Sequence, residues 1–287
     1  MRTGAVGTKR ALRNAAEKLA RAAVPEPTAS AEVLLSELLG IGRAELTLHD
    51  EPLTSEQAVR YEAWISRRSM REPVQRILGY AYFRDLRLDL NRETLIPRPD
   101  TESVVDAALE RIDRCGGSCR VLDIGTGSGA IAVSIAHERP LCEVYATDTS
   151  EAALRTARQN AERAGVRISL HLADIASGLD FLEKGLDVLV SNPPYVRSGE
   201  IPRFAPEVRD WDPHQALDGG PDGLTYYRRI FAEAPSLLSD GADVVLEVGD
   251  GQADAVLELG SRAGFVPRGS QTDLAGTPRV VLLRRER

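Results

Sequence analysis

Between residues 119 and 264 short apolar runs alternate with helical stretches, and no other feature restricts the fold of this 287-residue chain so tightly. The runs 119–124 (CRVLDI), 142–147 (CEVYAT), 167–172 (RISLHL), 186–191 (LDVLVS) and 242–248 (ADVVLEV) read as strands, and they are near-continuous in apolar residues instead of alternating strictly with polar ones. Such strands are buried on both faces, which requires a parallel sheet covered by helices on each side. Helices are expected over 129–138, 151–164, 223–239 and 251–263. Two further apolar runs, Phe265–Pro267 and Arg279–Leu283, can close the sheet edge as a hairpin-like pair, giving seven strands in all. The expected class is therefore α/β with a mostly parallel sheet.

The chain ahead of this region reads differently. Ala/Leu-rich runs from Lys9 to Val24, Ala29 to Leu39 and Ser55 to Ser69, punctuated by Pro25, Pro27, Gly40, Gly42 and Pro52, predict an all-α bundle over residues 1–79. Arg60, Arg67, Arg68 and Arg71 read as one solvated, basic edge on which a protein could dock. Residues 80–99 change to alternation, with Phe83, Leu86, Leu88, Leu90 and Leu95 set among polar residues and a break at Asn91–Arg92, as in a two-stranded hairpin linking two domains. The second domain then spans 100–287. It opens with Asp100 placed to cap a helix whose apolar stripe is Val104, Val105, Ala108, Leu109 and Ile112. Segment 196–221 holds four prolines and no periodicity, and loops of that length in compact α/β domains are usually functional.

Composition excludes several classes. A net charge of −7 provides no general positive field for nucleic acid or anionic membrane. No stretch approaches the apolar length of a membrane span, and the first twenty residues lack the apolar core of an export signal. Cys115, Cys119 and Cys142 have no metal-site spacing and read as reduced cytosolic thiols. His49, His137, His171 and His214 likewise share no ligand spacing, so no metal is expected.

The first strand of the alternating region runs into Gly125-Thr126-Gly127-Ser128-Gly129, and helix signals resume at Ala130. Glycines at this junction let the chain turn sharply and let its backbone approach a ligand closely. The second strand leads to Asp148, where a carboxylate can accept from both hydroxyls of a ribose. Together these residues describe a nucleoside site at the carboxyl edge of the sheet. The spacing also satisfies a relaxed dinucleotide fingerprint, so it leaves a dehydrogenase open. Asp174, just past the third strand, is a candidate acceptor for the exocyclic amine of adenine.

The fourth strand ends in Asn192-Pro193-Pro194-Tyr195. Neither proline has a backbone N–H, and Pro194 drives Pro193 toward an extended conformation, holding the Pro193 carbonyl out of the sheet ladder. The Asn192 side-chain carbonyl beside it supplies a second acceptor, so two oxygens can converge on the two hydrogens of one planar NH2 group. Tyr195 offers a flat face for the conjugated system bearing that amine. Fixing both hydrogens orients a poorly nucleophilic nitrogen toward an electrophilic methyl, such as the one on the sulfonium of S-adenosyl-L-methionine. Positioning of this kind is worth about 7–11 kcal/mol where the geometry is near-attack. Hydride transfer has no use for it.

With both motifs in place the sequence resembles a class I S-adenosylmethionine-dependent methyltransferase, and more closely the HemK/PrmC family of release factor glutamine methyltransferases. The resemblance covers nearly the whole chain and includes Ile96-Pro97-Arg98-Pro99-Asp100-Thr101-Glu102, the segment Pro213 to Ile230 (PHQALDGGPDGLTYYRRI) and an N-terminal helical domain. It implies a Rossmann-like methyltransferase sheet and a cytoplasmic enzyme that methylates the N5 nitrogen of the GGQ glutamine in class 1 peptide chain release factors. It further implies that Gly125, Thr126, Gly127, Ser128, Gly129, Asp148, Asp174 and Ile175 hold the cofactor, with Asn192 at the cofactor as well as the substrate. Asn192, Pro193, Pro194 and Tyr195 would hold the glutamine amide. Ile175 departs from the aromatic residue often found at that position. Ribosomal-protein glutamine methyltransferases and adenine-N6 nucleic-acid methyltransferases share the tetrapeptide; IPRPDTE argues against the first and the acidic charge against the second. Arg98 is placed either to reach the active site or to make a stabilising contact at the domain joint, and Glu247 either to face the pocket or, the reading preferred here, to be a hydrogen-bonded structural carboxylate.

Overall fold

The computed structural model describes residues 7–49, 51–273 and 275–286. The chain divides into two compact units, Met1–Gly79 with Ala205–Trp211, and Tyr80–Phe204 with Asp212–Arg287.

The smaller unit contains α1 (Thr8–Arg21), α2 (Pro27–Leu39), α3 (Ser55–Ser69) and α4 (Val74–Leu78), together with a helical turn at Pro206–Arg209. Pro27 starts α2, where a missing N–H costs nothing, and Gly40 ends it in a left-handed conformation at φ +67°. Thr54 and Gln57 close a reciprocal capping box at the start of α3. Leu19, Leu34, Leu35 and Ile65 are fully buried between the helices, and the Tyr61 hydroxyl donates to the Ala31 carbonyl at 2.9 Å.

Within the arginine row Arg67, Arg68 and Arg71 have internal carboxylate partners that the sequence does not announce, while Arg60 is exposed. Arg68 is only 5% exposed and donates to Ser30 Oγ, the Glu72 carbonyl and Glu207 Oε1. Arg71 grips both Glu207 oxygens at 2.7 and 2.6 Å, Arg67 grips both Glu72 oxygens at 2.8 and 2.6 Å, and Arg60 lies 4.7 Å over the Trp64 ring. A guanidinium with an internal carboxylate partner is not available to an incoming one. Burial would raise the Glu207 pKa, yet its hydrogen bonds to Arg71 and Arg68 hold it below the ordinary value. Its stabilisation is therefore full at neutral pH and fades as pH falls through that lowered pKa. Glu207→Ala leaves Arg68 buried without its counter-charge and should destabilise the fold by about 3–5 kcal/mol, read as a lower urea midpoint.

The larger unit opens with an antiparallel hairpin, β1 (Tyr80–Phe83) and β2 (Leu86–Asp89). The expected break at Asn91–Arg92 is not its turn; Arg84–Asp85 is, with Arg84 at φ +51°. Asn91 instead donates through its amide to the Ala152 carbonyl and Thr156 Oγ1 at 2.7 and 2.8 Å. The hairpin groups with the larger unit and does not stand apart as a linker.

After α5 (Thr101–Arg114) the chain alternates through β3 (Arg120–Ile124), α6 (Ala130–Glu138), β4 (Glu143–Asp148), α7 (Glu151–Ala164), β5 (Ser169–Leu172) and β6 (Leu186–Ser191). It continues through α8 (Thr225–Glu233), β7 (Leu238–Glu247), α9 (Ala253–Arg262), β8 (Phe265–Thr272) and β9 (Pro278–Arg285). The seven strands lie in the order β5-β4-β3-β6-β7-β9-β8, parallel from β5 to β7, with β9 antiparallel to both its neighbours. Successive strand residues feed opposite faces: Val121 and Val188 pack with Val104, Ile112 and Ile135, whereas Leu122 and Leu189 pack with Tyr227, Ile230 and Leu246.

Three local departures have simple causes. The helix expected over 223–239 stops at Glu233, because Pro235 follows in a tight 3-10 turn and cannot continue the ladder; β7 then starts at Leu238. Strand β5 is shorter than 167–172 because its register with β4 begins only at Ser169. Asp100 occupies the cap position of α5 without a capping hydrogen bond, and its carboxylate faces Arg279 Nε at 3.4 Å. No helix among the described residues is long and apolar enough to cross a membrane.

Candidate active site

Strand order reverses at β3, whose neighbours β4 and β6 lead away in opposite directions, and a cleft opens at the carboxyl ends of these strands. Its floor is the glycine turn. The Gly125 and Thr126 amides both donate to the Thr147 carbonyl at 2.9 and 2.8 Å, and the Gly129 amide donates to the Thr126 carbonyl at 2.8 Å, curling the loop over the end of β4. Thr126 Oγ1 donates to Asp123 Oδ2 at 2.7 Å. Asp123 is fully buried, and burial pushes its pKa up to about 7 against that hydrogen bond. Gly127 adopts φ +56° with open space where a Cβ would stand, whereas a Cβ on Gly129 would lie 3.0 Å from Val133 and 3.1 Å from Ala157. The first glycine therefore keeps the cleft accessible, and the second packs α6 against α7.

Asp148 ends β4 with both carboxylate oxygens held by backbone: Oδ2 accepts from the Gly127 amide at 2.8 Å and Oδ1 from the Ser150 amide at 2.9 Å. Burial raises its pKa against these bonds. With about four acceptor sites on a carboxylate, capacity remains for a ligand. Capping of α7 falls to Ser150, which accepts from the Ala153 amide. Asp174 also lines the cleft, but its Oδ1 accepts from Arg229 at 3.0 Å. Ile175 follows it in a left-handed conformation, φ +57°, buried against Leu179 and Ile124 yet reaching the cleft wall.

At the end of β6 the backbone leaves the sheet through Asn192, Pro193 and Pro194, all of which line the same cleft as the glycine turn and Asp148. The Asn192 amide nitrogen donates to Thr101 Oγ1 at 3.1 Å, an orientation that leaves Oδ1 on the other side. Among the described residues neither Asn192 Oδ1 nor the Pro193 carbonyl accepts a hydrogen bond from the protein. Tyr195 follows them, its hydroxyl 3.4 Å from Glu247 Oε1 and its carbonyl accepting from Gln252 at 2.9 Å.

Among the lining residues, Glu93 and Thr101 are not singled out by the sequence. Thr101 meets Asn192 across 91 positions of sequence. Arg98 lines the cleft and pairs with the buried carboxylate of Asp212 at 2.5 Å, both within the larger unit, and Glu93 lies on the same rim. Apart from Ala205–Trp211, which groups with the smaller unit, the loop 196–221 folds into short turns at Ile201–Arg203 and His214–Leu217, with the Val196 amide donating to the Leu217 carbonyl and the Gly219 amide to the Val196 carbonyl.

Comparison with known proteins agrees with this architecture. The PrmC N-terminal domain family matches residues 10–79 and the methyltransferase small domain family matches residues 106–205. A release factor glutamine methyltransferase of Cereibacter sphaeroides is 42% identical over 277 residues, 96% of this chain and 97% of its own length. Proteins of the same description from Moorella thermoacetica (42% identical, 96% and 97% covered) and Geobacter sulfurreducens (40%, 92% and 91%) match similarly. Among solved structures, a methyltransferase from Pyrococcus furiosus shares the fold with a TM-score of 0.52 at 20% identity, covering 82% of this chain and all of that one. The hMettl16 catalytic domain does so with a TM-score of 0.53 at 16% identity, covering 80% and 82%. With relatives this similar along nearly its entire length, the chain belongs to the release factor glutamine methyltransferase family.

Proposed function

We infer that the protein transfers a methyl group from S-adenosyl-L-methionine to the N5 side-chain amide nitrogen of the GGQ glutamine of class 1 peptide chain release factors. The observation that carries this reading is the pair of oxygens, Asn192 Oδ1 and the Pro193 carbonyl, left without protein donors in the wall of the cleft. Two acceptors suit a primary amide, which presents two hydrogens; they do not suit a hydroxyl or a carboxylate.

The residues present fit the cofactor. Gly125 and Gly127 leave open space beside the backbone, the Asp148 carboxylate lines the same cleft, and Glu93, Asp148 and Asp174 give that cleft an acidic lining suited to a cation. Gly125 to Gly129 and Asp148 would hold it, with Asp174 and Ile175 at the base. When bound, the cofactor supplies an electrophilic methyl on a positively charged sulfur. The chain's own part is to hold the glutamine: Asn192 Oδ1 and the Pro193 carbonyl each accept one amide hydrogen, which fixes the plane of the NH2 group and withdraws its hydrogens from water. Once the nitrogen carries the methyl it is cationic and acidic; its surplus proton, which neither neutral amide oxygen is basic enough to keep, passes to water, leaving the neutral methylated amide. The partner is a protein, a reading supported by the net charge of −7 and the acidic lining.

Purified protein given tritiated cofactor should label a release factor, and a release factor with the GGQ glutamine replaced should take no label. Equal labelling of the two would overturn the acceptor assignment. Asp148→Ala should weaken cofactor binding by roughly 10- to 100-fold in calorimetry, the loss expected for a hydrogen bond to a charged group, with a smaller change in kcat at saturation.

A further inference from the structure

The prolines that free the Pro193 carbonyl leave residues 193 and 194 with no N–H of their own, so the position of this stretch has to be fixed from its two ends. Upstream, Ser191 is in register with Ile124 and Leu246, and the Asn192 amide rests on Thr101. Downstream, the first hydrogen bond after the prolines among the described residues is received by the Tyr195 carbonyl. It comes from the side chain of Gln252, at 2.9 Å.

Gln252 is buried where β7 leads into α9, and its own backbone is fixed there. Its amide donates to the Gly249 carbonyl at 3.1 Å and its carbonyl accepts from the Val256 amide at 3.0 Å, in the first turn of α9. Both ends of the side chain are used: Oε1 accepts from the Gly249 amide at 3.0 Å, and Nε2 donates to the carbonyls of Tyr195 and Gly223 at 2.9 and 3.4 Å. All three partners are main-chain groups with a fixed sense as donor or acceptor, so the amide has one orientation only. The surrounding chain leaves room for it. A Cβ on Gly223 would stand 2.4 Å from the Tyr195 carbonyl oxygen and 2.5 Å from Gln252 Nε2, and one on Gly249 would stand 2.8 Å from Gln252 Oε1. Gln252 itself does not line the cleft.

We propose that Gln252 is a positioning residue: its side-chain amide ties the Tyr195 carbonyl to the end of β7 and to the turn at Gly223, and this tie holds the Pro193 carbonyl where the substrate amide meets it. The proposal deepens the glutamine-methylation reading and rests on it for the identity of the group gripped. The connection from 195 to 193 runs through covalent stiffness. Both proline rings lock φ, and Pro194 keeps Pro193 extended, so a shift at Tyr195 passes to the Pro193 carbonyl with little to absorb it. The two acceptors of the cleft are then set from separate sides, Asn192 Oδ1 by Thr101 at the start of α5 and the Pro193 carbonyl by Gln252 at the start of α9.

The test uses the full chain, with wild type and two variants in the same release-factor assay. Gln252→Met keeps the length of the side chain and removes its donor and its acceptor. Displacement by about 1 Å can cost on the order of 100-fold in rate, so kcat should fall by that order while the affinity for S-adenosyl-L-methionine stays within about threefold. Gln252→Glu separates the tie from mere filling of space: a neutral carboxyl still accepts from Gly249 and donates to Tyr195, whereas the ionised form only accepts. Its rate relative to wild type should approach one at the acid end of the range and fall as pH rises, while the ratio for Gln252→Met stays flat. Tyr195–Val196 is the only Tyr-Val pair in the sequence, so labelling tyrosine carbonyl carbons and valine amide nitrogens gives one NMR cross-peak that reports the Tyr195 carbonyl without any substrate. That peak should move in Gln252→Met, and in Gln252→Glu only as the carboxyl ionises. A wild-type kcat in Gln252→Met, an unmoved carbonyl peak, or the same pH profile for both variants overturns the proposal. If Gln252→Met does not fold, the Gln252→Glu profile decides. Failure of wild type to label a release factor, with the carbonyl peak moving as stated, overturns the acceptor and leaves the tie standing.

Discussion

Asn192→Ala is expected to abolish most turnover, lowering kcat on the order of 100- to 1,000-fold while the affinity for S-adenosyl-L-methionine stays within a factor of about three. The side chain supplies one of the two oxygens left without protein donors, and its removal leaves the Pro193 carbonyl to hold a single amide hydrogen. A glutamine held at one point rotates, and rotation is what positioning catalysis cannot tolerate. The fold has little reason to suffer, since Asn192 is only half-buried and its side chain makes one hydrogen bond among the described residues. Single-turnover rates and calorimetric titration separate the two effects. Loss of cofactor binding with an unchanged rate at saturation would place Asn192 on the cofactor side instead.

Gly219→Ala should be nearly as damaging through geometry alone. Gly219 does not have the positive φ that penalises other residues, so alanine is acceptable to its own backbone. The obstacle is the tetrapeptide: a Cβ there would stand 2.7 Å from Tyr195 Cα and 2.8 Å from the Pro194 carbonyl oxygen. Both are main-chain atoms and cannot swing aside, so the Pro193–Tyr195 backbone has to move. Misplacement by about 1 Å can cost on the order of 100-fold in rate, and that is the drop expected in kcat. Gly199→Ala lies in the same loop with nothing within 4 Å of its Cβ and serves as the control; it should behave as wild type. A Gly219→Ala enzyme with an unaltered rate would mean that the carbonyl at 193 need not stay where the structure puts it.

The parallel sheet was legible because its strands are apolar on both faces, as Val121 and Leu122 illustrate by feeding separate cores. The cleft was legible because its two motifs are contiguous in sequence and sit at the ends of adjacent strands. Pairings across long separations were not. Nothing near Thr101 marks it as the partner of Asn192, and nothing near Arg68 or Arg71 marks Glu207 as theirs, so a row of arginines reads as a solvated face until the carboxylate is seen beside it. The hairpin turn was misplaced for a related reason. Asn91 has the composition of a turn residue, but its amide is used against α7, while the turn falls to Arg84, whose charge is held by Glu138 and Asp106 at 2.6 Å each.

The heptapeptide Ala205–Trp211 is donated to the helical unit from the middle of the other unit's chain. The polypeptide consequently changes unit three times, so no single cut yields both halves intact. A fragment ending at residue 79 would carry Arg68 and Arg71 without Glu207, and its complement would carry that glutamate with nothing to neutralise it. Recombination could not readily exchange the helical part for another cassette. Any change to the helical unit would have to come by point substitution, with the loop and the helices changing together.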